Sequence, residues 1–272
     1  MRRLILAAGV AVGLLFASAA VAEPAAAAQA APPAPSSMAA IGDSMTEAAD
    51  VCCWYGDHPA NSWSTGAAGW DGITSHYERL RVLNPGITSR NYNDAKSGAR
   101  MSDAPGQAQA AVSQQAGYVT ILMGANDVCT SSPSTMTPVD TFRDQFRQTL
   151  QTLATGQARI FVASIPDVHH LWEIYHTDFW ASVVWGAANI CQSLLAPNRT
   201  DTERQMVRAR NIAFNTVLRE ECAAYPLCRY DDDVTFNYQF SRSQISKLDY
   251  FHPSLSGQAA LAQVTWTHSW WS

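Results

Sequence analysis

The sequence has few charged residues, no run of basic residues and no internal repeat. Its 18 Lys and Arg against 23 Asp and Glu give a net charge of −5. A nucleic-acid partner is therefore not expected, because such proteins carry a basic patch or stripe. No apolar run reaches the roughly 20 residues that a membrane-spanning helix needs. Because the sequence contains no repeat and nothing that suggests a second domain, the bulk of the chain is expected to form a single domain and the protein to be a monomer.

The N-terminus has the residue order of an export signal. Two arginines precede an uncharged apolar run over residues 4–16, and small residues follow up to Ala22. This order predicts a signal peptide over residues 1–22 and a secreted protein. The apolar run is too short to cross a bilayer comfortably. Since no cysteine precedes Cys52, a lipid-modified N-terminus and a stable membrane anchor are not expected.

Residues 23–37 are rich in Ala and Pro and offer nothing to bury. This composition predicts a flexible or semi-extended tether between the signal peptide and the folded part. The remaining residues, 38–272, are enough for one domain with a full hydrophobic core. The domain boundaries predicted here are therefore 1–22, 23–37 and 38–272.

Six cysteines in an exported chain are expected to form disulfides. Cys222 and Cys228 flank the short loop Ala-Ala-Tyr-Pro-Leu and are the first predicted pair. Cys129 with Cys191 is the second. The cysteines at residues 52–53 are neighbours in the chain, and a bond between neighbours is strained, so their state stays open.

Short apolar runs alternate with amphipathic segments along the domain. The apolar runs predict strands over residues 38–41, 87–92, 118–123, 159–165 and 229–230. The amphipathic segments predict helices over residues 69–83, 102–115, 138–153, 202–225 and 256–266. Such alternation is typical of an α/β protein with a parallel sheet of about five strands and helices on both faces. In this architecture the functional site lies at the carboxyl ends of the strands.

Three predicted strands end in residues that suit nucleophilic catalysis. Gly42-Asp43-Ser44 follows the first strand, where the glycine permits a sharp turn and the serine hydroxyl is presented at the sheet edge. Gly98 follows the second strand and Asn126 the third. A nucleophilic serine needs nearby N–H donors to receive the negative charge that develops on its substrate. Taken singly, each residue has a plainer explanation as a turn residue or a helix cap.

A fourth block, Asp249-Tyr250-Phe251-His252, precedes the last predicted helix. An acid and a histidine three residues apart can lie on the same side of a turn. The carboxylate can then fix the imidazole tautomer while the other ring nitrogen faces the serine. A histidine such as His252, taken alone, is more often a packed residue than a base. Four such blocks in this order, each at a strand end or a helix start, predict one active site.

These blocks, with Gly124-Ala125-Asn126-Asp127 as the third, resemble those of the SGNH, or GDSL, hydrolases. The chain is similar over essentially its whole predicted domain to secreted bacterial, actinobacterial-type esterases and lipases of that superfamily. The resemblance implies a flavodoxin-like, three-layer αβα fold and a hydrolase without cofactor or metal. It implies Ser44 as nucleophile, His252 as general base and Asp249 as the residue that orients His252. The oxyanion hole would comprise the Ser44 and Gly98 N–H groups and the Asn126 side-chain amide.

Two features define how far the resemblance extends. Met45 stands where the family name has leucine, and the exchange of one apolar side chain for another changes little. No Gly-x-Ser-x-Gly occurs in the chain, so the nucleophile elbow of the ordinary α/β-hydrolases is absent. The acid and base also lie too close together in the sequence for that fold.

The segment from His169 to Ile190 is rich in aromatic residues. Trp172, Tyr175 and Phe179 lie on one helical stripe, and other apolar residues lie off it. A helix that is apolar on more than one side is either deeply buried or covers an apolar ligand, so these three are substrate-binding candidates. His169 and His176 lie two helical turns apart, but no accompanying pattern of carboxylates and histidines completes a metal site.

The predicted function is a secreted serine esterase or lipase that hydrolyses acyl-chain or lipid esters through an acyl-enzyme. One alternative is a polysaccharide deacetylase of the acetylxylan type, which would use the same site with a shorter acyl pocket. A second is a non-catalytic binding module of the same fold. Against that module stands the complete set of site residues, because a degenerate member should have lost at least one.

Overall fold

Five short strands form one sheet in which every strand runs parallel to its neighbours. The computed structural model describes Gly9 and residues 31–272. The strands are β1 (Met38–Gly42), β2 (Asn91–Asn93), β3 (Tyr118–Leu122), β4 (Arg159–Val162) and β5 (Cys228–Tyr230). Their order across the sheet is β2-β1-β3-β4-β5. The predicted parallel α/β sheet of about five strands is thereby confirmed.

Helices of four to 23 residues connect the strands. They are α1 (His76–Leu83), α2 (Ala104–Ser113), α3 (Ala125–Val128), α4 (Val139–Ala154), α5 (Val168–Tyr175), α6 (Phe179–Ala187), α7 (Gln192–Leu195), α8 (Asp201–Ala223), α9 (Val234–Asn237) and α10 (Leu255–Trp266). Within the described part of the chain, no helix combines the length and apolarity needed to cross a membrane.

Local capping explains where several helices begin. The helix predicted over residues 69–83 begins only at His76, because Ser75 caps it by accepting the N–H of Glu78. The same reciprocal capping box, between Thr200 and Glu203, starts the long helix α8. The predicted second strand is shorter than expected because Pro85–Ile87 forms a 3₁₀ turn before it.

The sheet is covered on both faces, as its apolar strands require. Ala39 and Ile41 of β1 contribute to a core that includes the inner residues of α2, α4 and α8. Met38 contributes to a second core, on which α1 and α10 pack. Because alternate residues of a strand point to opposite faces, the two cores lie on opposite sides of the sheet. This gives the three-layer αβα arrangement that the resemblance implied.

The end of the predicted tether packs against the domain, which corrects the prediction for residues 31–37. The carbonyl of Pro32 accepts the indole N–H of Trp271 at 2.8 Å. Ser37 is buried, and its hydroxyl donates to the carbonyl of Gln115 at 2.8 Å. An extended, proline-rich backbone leaves its carbonyls free to accept such bonds. The earlier part of the tether and the predicted signal peptide lie outside the described residues, apart from Gly9.

Two disulfides have the pairing favoured by the sequence. Cys129, directly after α3, is joined to Cys191 at the start of α7. Cys222, near the end of α8, is joined to Cys228 at the start of β5. The cysteines at residues 52–53 are not bonded to each other. The first bond closes 62 residues and the second only six, so they constrain the unfolded chain very differently.

We expect the longer disulfide loop to contribute more stability. Replacing both Cys129 and Cys191 by serine should cost about 4 kcal/mol, and the pair Cys222 and Cys228 about 2 kcal/mol, since closure entropy grows with the loop. Urea unfolding of the two double-serine variants tests this. Serine at residues 52–53 is the matched control and should leave the free energy of unfolding nearly unchanged. Equal losses in the two disulfide variants would contradict the entropic argument.

Candidate active site

The turn after β1 is held by a buried glutamine from α2. Gln107 accepts the Gly42 N–H at 2.8 Å and donates to the Gly42 carbonyl at 3.0 Å. The turn is so tight that a Cβ on Gly42 would lie 2.3 Å from Thr46 Oγ1 and 2.9 Å from the Leu122 carbonyl oxygen. Glycine is therefore required at this position. The chain then places Ser44 at the carboxyl edge of the sheet, with 8 % of its surface exposed.

Ser44, His252 and Asp249 form a continuous hydrogen-bonded chain. Ser44 Oγ lies 2.7 Å from His252 Nε2, and His252 Nδ1 donates to Asp249 Oδ2. The other oxygen, Asp249 Oδ1, accepts the backbone N–H groups of Phe251 and His252 at 2.9 and 3.1 Å. A carboxylate can only accept, so the Nδ1 proton is fixed and Nε2 is left to accept from the serine hydroxyl. The spacing of three residues predicted from the sequence therefore produces the expected turn.

The electrostatic environment favours the ionised forms of Asp249 and His252, a carboxylate and an imidazolium. Burial alone would lower the pKa of His252, but the hydrogen bond and charge of Asp249 outweigh it and raise that pKa. Burial likewise opposes ionisation of Asp249, yet the bonds from His252 hold its pKa below its usual range. In the serine turn, burial raises the pKa of Asp43 to about 6. An imidazolium formed at His252 is thus stabilised by its partner carboxylate.

Gly98 and Asn126 lie beside Ser44, where the sequence predicted oxyanion donors. Gly98 has a φ of +82°, a left-handed conformation that glycine adopts without strain. One hydrogen of the Asn126 amide donates to the Ala99 carbonyl at 2.9 Å, which fixes the amide plane. Ser44, Gly98 and Asn126 line one cleft. The bond to Ala99 uses one of the two Asn126 amide hydrogens and leaves the other able to donate.

Asp127 connects the two loops that carry these donors. Its carboxylate accepts the Met101 N–H at 2.9 Å from the loop after Gly98. It also accepts the Thr137 hydroxyl at 2.7 Å. The side chain is buried, so these bonds are not exposed to competing water. Asp127 belongs to the block Gly124-Ala125-Asn126-Asp127, but the sequence did not predict that its side chain would connect these two loops by hydrogen bonds.

A narrow apolar groove opens at Ser44 and His252. Its volume is about 60 Å³. The apolar part of its wall comes from α5 and the residue pair before it, from α3, from the loop ahead of His252 and from the two site turns, and comprises Pro166, Val168, Leu171, Ile174, Ala125, Phe240, Ile245, Phe251, Met45 and Pro253. Asp167 and His170 add polar groups to the same wall. Because most of this wall is apolar, an apolar group loses less on entering the groove than a polar one does.

A wider, more polar cleft meets the groove at the same serine. Its volume is about 390 Å³, and Asp50, Asp57, Ser97 and Asn189 contribute polar groups to its wall. The Cys129–Cys191 disulfide forms another part of that wall. Ser44, Asn126, Phe251 and His252 line both spaces. The Ser44 side chain therefore lies between an apolar and a more polar compartment.

The predicted substrate-binding residues Trp172, Tyr175 and Phe179 do not line the groove, which corrects the prediction. Tyr175 is buried, and its hydroxyl donates to the Arg242 carbonyl at 2.7 Å. Trp172 packs against the core, and Phe179 is exposed on another helix. The assumed single stripe is broken because α5 ends at Tyr175, and Asp178 caps a separate helix, α6. The face of α5 that carries Leu171 and Ile174 lines the groove instead.

One cluster of possible metal ligands lies within the described residues. Asp50, Asp249 and His252 bring ligand atoms within 4.8 Å of one another. Both ring nitrogens of His252 are already engaged, by Asp249 and by Ser44. A cation would have to break one of these bonds, so the cluster fits a hydrogen-bonded set better than a metal site. His169 and His176, considered in the sequence, do not belong to it.

A glutamine of α10 is a second support that the sequence did not reveal. Gln258 Nε2 donates to the Met45 carbonyl at 2.8 Å, directly after the serine. Its Oε1 accepts the Trp63 N–H at 2.9 Å. Gln258, like Gln107, is a polar residue at a buried position of a helix. A glutamine at a position of the predicted helix that faces the core is the only sequence feature that could have identified it.

Comparison with known proteins agrees with this geometry. The sequence model of the family described as GDSL-like lipase/acylhydrolase matches residues 38–264. No curated protein sequence matches the chain. Among solved structures, TesA is 16% identical with a TM-score of 0.52, over 85% of this chain and 97% of that one. LAE5, a hydrolase from the metagenome of Lake Arreo in Spain, is 17% identical with a TM-score of 0.55, over 85% and 94%.

A catalytic mutant of Axe2, an acetylxylan esterase from Geobacillus stearothermophilus, is also similar. It is 16% identical with a TM-score of 0.53, over 86% of this chain and 95% of that one. At such low identities these likenesses establish the shared fold. The match to the family sequence model, in contrast, includes all four site blocks.

We expect Gly42→Ala to destabilise the protein by about 1–3 kcal/mol, because the added methyl must displace the Thr46 side chain and the Leu122 carbonyl of β3. Gly106→Ala is the matched control: it lies in α2, and a Cβ there meets nothing within 4 Å. Alanine in a helix should leave stability unchanged or raise it. Urea unfolding of both variants is the measurement. A Gly42 variant as stable as the wild type would show that the turn can relax.

Proposed function

Because the chain belongs to the GDSL-like lipase/acylhydrolase family and is a carboxylic ester hydrolase, we propose that it cleaves esters of linear acyl chains on Ser44. In this proposal Ser44 is the nucleophile, His252 the general base and Asp249 the residue that orients His252. The observation that carries it is the 2.7 Å contact between Ser44 Oγ and His252 Nε2. That distance is within the reach a general base needs.

The first half of the reaction forms an acyl-enzyme. As Ser44 Oγ attacks the ester carbonyl, His252 Nε2 takes its proton, and Asp249 stabilises the resulting imidazolium. The Ser44 and Gly98 N–H groups and the Asn126 amide bind the oxyanion of the tetrahedral intermediate. His252 then gives the proton to the leaving alcohol. In the second half a water molecule, activated by the same imidazole, hydrolyses the acyl-serine.

The groove favours a linear acyl chain as the acid half of the substrate. Val168, Leu171 and Ile174 of α5 give its wall a mostly apolar surface, and it opens at the serine hydroxyl. Transfer of each methylene from water into such a groove is worth about 0.8 kcal/mol. A chain longer than acetyl therefore gains binding energy that acetyl cannot. Small-molecule or lipid esters with medium chains are the proposed substrates.

A second candidate, a deacetylase of a polysaccharide, is favoured by the polar cleft. A sugar could occupy that cleft, whose wall carries Asp50, Asp57 and Ser97, while acetyl fills only the mouth of the groove. The same residues would perform the same chemistry. The two candidates differ in which compartment supplies the binding energy, so substrate comparison separates them.

Export is part of the proposal. The order of charged, apolar and small residues over positions 1–22 supports a cleaved signal peptide. Disulfides persist in an oxidising compartment, and the pairings of Cys129 with Cys191 and Cys222 with Cys228 fit that location.

Removal of the nucleophile or the base should nearly abolish turnover. We expect Ser44→Ala and His252→Ala each to lower kcat by at least ~10⁴-fold, and the double variant to be little worse, because the two act as a unit. Asn126→Ala should lose ~10²–10³-fold in kcat with KM nearly unchanged, since it donates mainly to the oxyanion. Hydrolysis of p-nitrophenyl butyrate is the assay.

A fluorophosphonate probe provides the control for this series. It should label the wild type and the Asn126 variant, because both keep the nucleophile. Labelling that persists in Ser44→Ala would place the nucleophile elsewhere and overturn the assignment.

Chain-length preference tests the groove. We expect butyrate to decanoate p-nitrophenyl esters to be cleaved faster than acetate. Ile174→Trp should block the groove and lower kcat/KM for the longer esters at least ~10-fold more than for acetate, as expected when a pocket is filled. Phe179→Ala is the matched control, because Phe179 is exposed and does not line the groove.

The same assay decides between the two candidate functions. Fast release of acetate from acetylated xylan, with slow cleavage of all longer esters, would favour the deacetylase. An unchanged chain preference in a folded Ile174→Trp variant would remove the groove from the acyl site.

A further inference from the structure

Asp50 lies next to the proposed catalytic pair on a loop that is closed on itself. Its N–H donates to the Gly56 carbonyl at 2.8 Å, and its Oδ1 accepts the Gly56 N–H at 2.7 Å. The backbone of Asp50 is left-handed, with a φ of 52°, which Asp and Asn tolerate better than most residues. The loop is tied to the segment before His252, because the Ser246 hydroxyl donates to the Asp50 carbonyl. The position of this carboxylate is therefore built into the loop.

The free oxygen of this carboxylate faces the imidazole. Asp50 Oδ2 lies 4.0 Å from His252 Nδ1, the same nitrogen that donates to Asp249. The Asp50 side chain is 17% exposed and the His252 side chain 15%. Both side chains are largely shielded from solvent, so the electrostatic interaction between the Asp50 carboxylate and the imidazole is stronger than it would be at the protein surface.

The charged groups that act most strongly on the imidazole are acidic. Asp249 and Asp50 face Nδ1, and Asp43 acts on the ring from the serine turn. Burial, and then the neighbouring Asp249 charge, raise the pKa of Asp50. The charge of Asp50 in turn contributes to raising the pKa of His252. A second carboxylate so close to a first is costly unless a positive charge forms between them, as it does when His252 takes a proton.

We propose that Asp50 is a positioning residue for His252, a second carboxylate that faces Nδ1 and accepts its proton in place of Asp249 when that side chain is lost. The proposal rests on the proposed function of His252 as general base. A displacement of about 1 Å would bring Asp50 Oδ2 within the 2.7–3.2 Å of an N–H···O bond. Asp50 acts through His252 and does not touch the reacting ester.

A double-mutant cycle on Asp249 and Asp50 tests the substitution. Asp50→Asn keeps the oxygen that accepts the Gly56 N–H and suits the left-handed backbone, so it removes only the charge. We expect Asp50→Asn alone to cost less than ~10-fold in kcat/KM and Asp249→Ala about 10–10²-fold, while the double variant loses about 10⁴-fold, the size of a lost orienting carboxylate. The loss in the double variant thus exceeds the product of the single losses.

The pH profile supplies a readout that a merely structural role would not change. The acid limb of kcat/KM follows protonation of His252 in the free enzyme. Removal of a negative charge beside the ring lowers the pKa of His252, so the acid limb of Asp50→Asn should move to lower pH. Asp144→Asn is the matched control: its side chain is 75% exposed and its charge lies on α4, so the limb should stay in place.

The variants must be folded for these comparisons. Asp249 accepts two backbone N–H groups, so Asp249→Ser, whose hydroxyl can still accept one, replaces the alanine variant if that variant does not fold. If neither folds, the acid limb of Asp50→Asn alone decides, and an unchanged limb overturns the proposal.

Two outcomes separate this proposal from the proposed function. Losses that multiply in the cycle, in an enzyme that Ser44→Ala inactivates, would overturn the role of Asp50 and leave the nucleophile intact. A wild type that hydrolyses no ester, or a Ser44→Ala variant with full activity, would instead overturn the proposed function itself.

Discussion

The hydrogen bond between Ser44 and His252 joins two turns that are 208 residues apart in the chain, and the arrangement of the sheet serves that contact. β1 pairs with β3 so that Gly42 lies opposite Leu122, which brings the serine turn beside the loop that carries Asn126. Gln258 of α10 donates to the backbone directly after Ser44. The helix that follows His252 is thereby fastened to the serine turn, and the 2.7 Å distance does not depend on the two side chains alone.

This arrangement places several acidic side chains in a buried region, which is energetically unfavourable. Asp43, Asp249 and Asp50 all lie close to one imidazole, and a buried carboxylate without a partner is strongly unfavourable. Asp249 is compensated by two backbone N–H groups and the ring nitrogen, and Asp50 by the Gly56 N–H. When His252 is protonated, its positive charge offsets part of the negative charge of these three carboxylates. The negative charges around His252 therefore favour its imidazolium form, which the proposed acyl transfer would produce.

The sequence was sufficient to predict those parts of the site that depend on local chemistry. A glycine before the serine and an acid three residues before the histidine are constraints within one turn, so the pattern of residue types identifies them. Gln107 and Asp50 act on residues far away in the chain, and only the folded arrangement reveals their partners. The groove was assigned to the wrong face for a related reason. Helical periodicity continues through residues 176–178, whereas the chain ends one helix and caps the next there.

The position of Ser44 between two compartments of opposite character limits which esters can bind productively. An ester has an acid half and an alcohol half on either side of one carbonyl, and the apolar groove and the polar cleft meet where that carbonyl must lie. An apolar acid half and a hydroxylated alcohol half match both compartments at once. A substrate bound the other way would place polar groups against Leu171 and Ile174, whose side chains cannot form hydrogen bonds in place of water. For the proposed substrates, the cost of removing water from polar groups would therefore favour one orientation of the ester over the other.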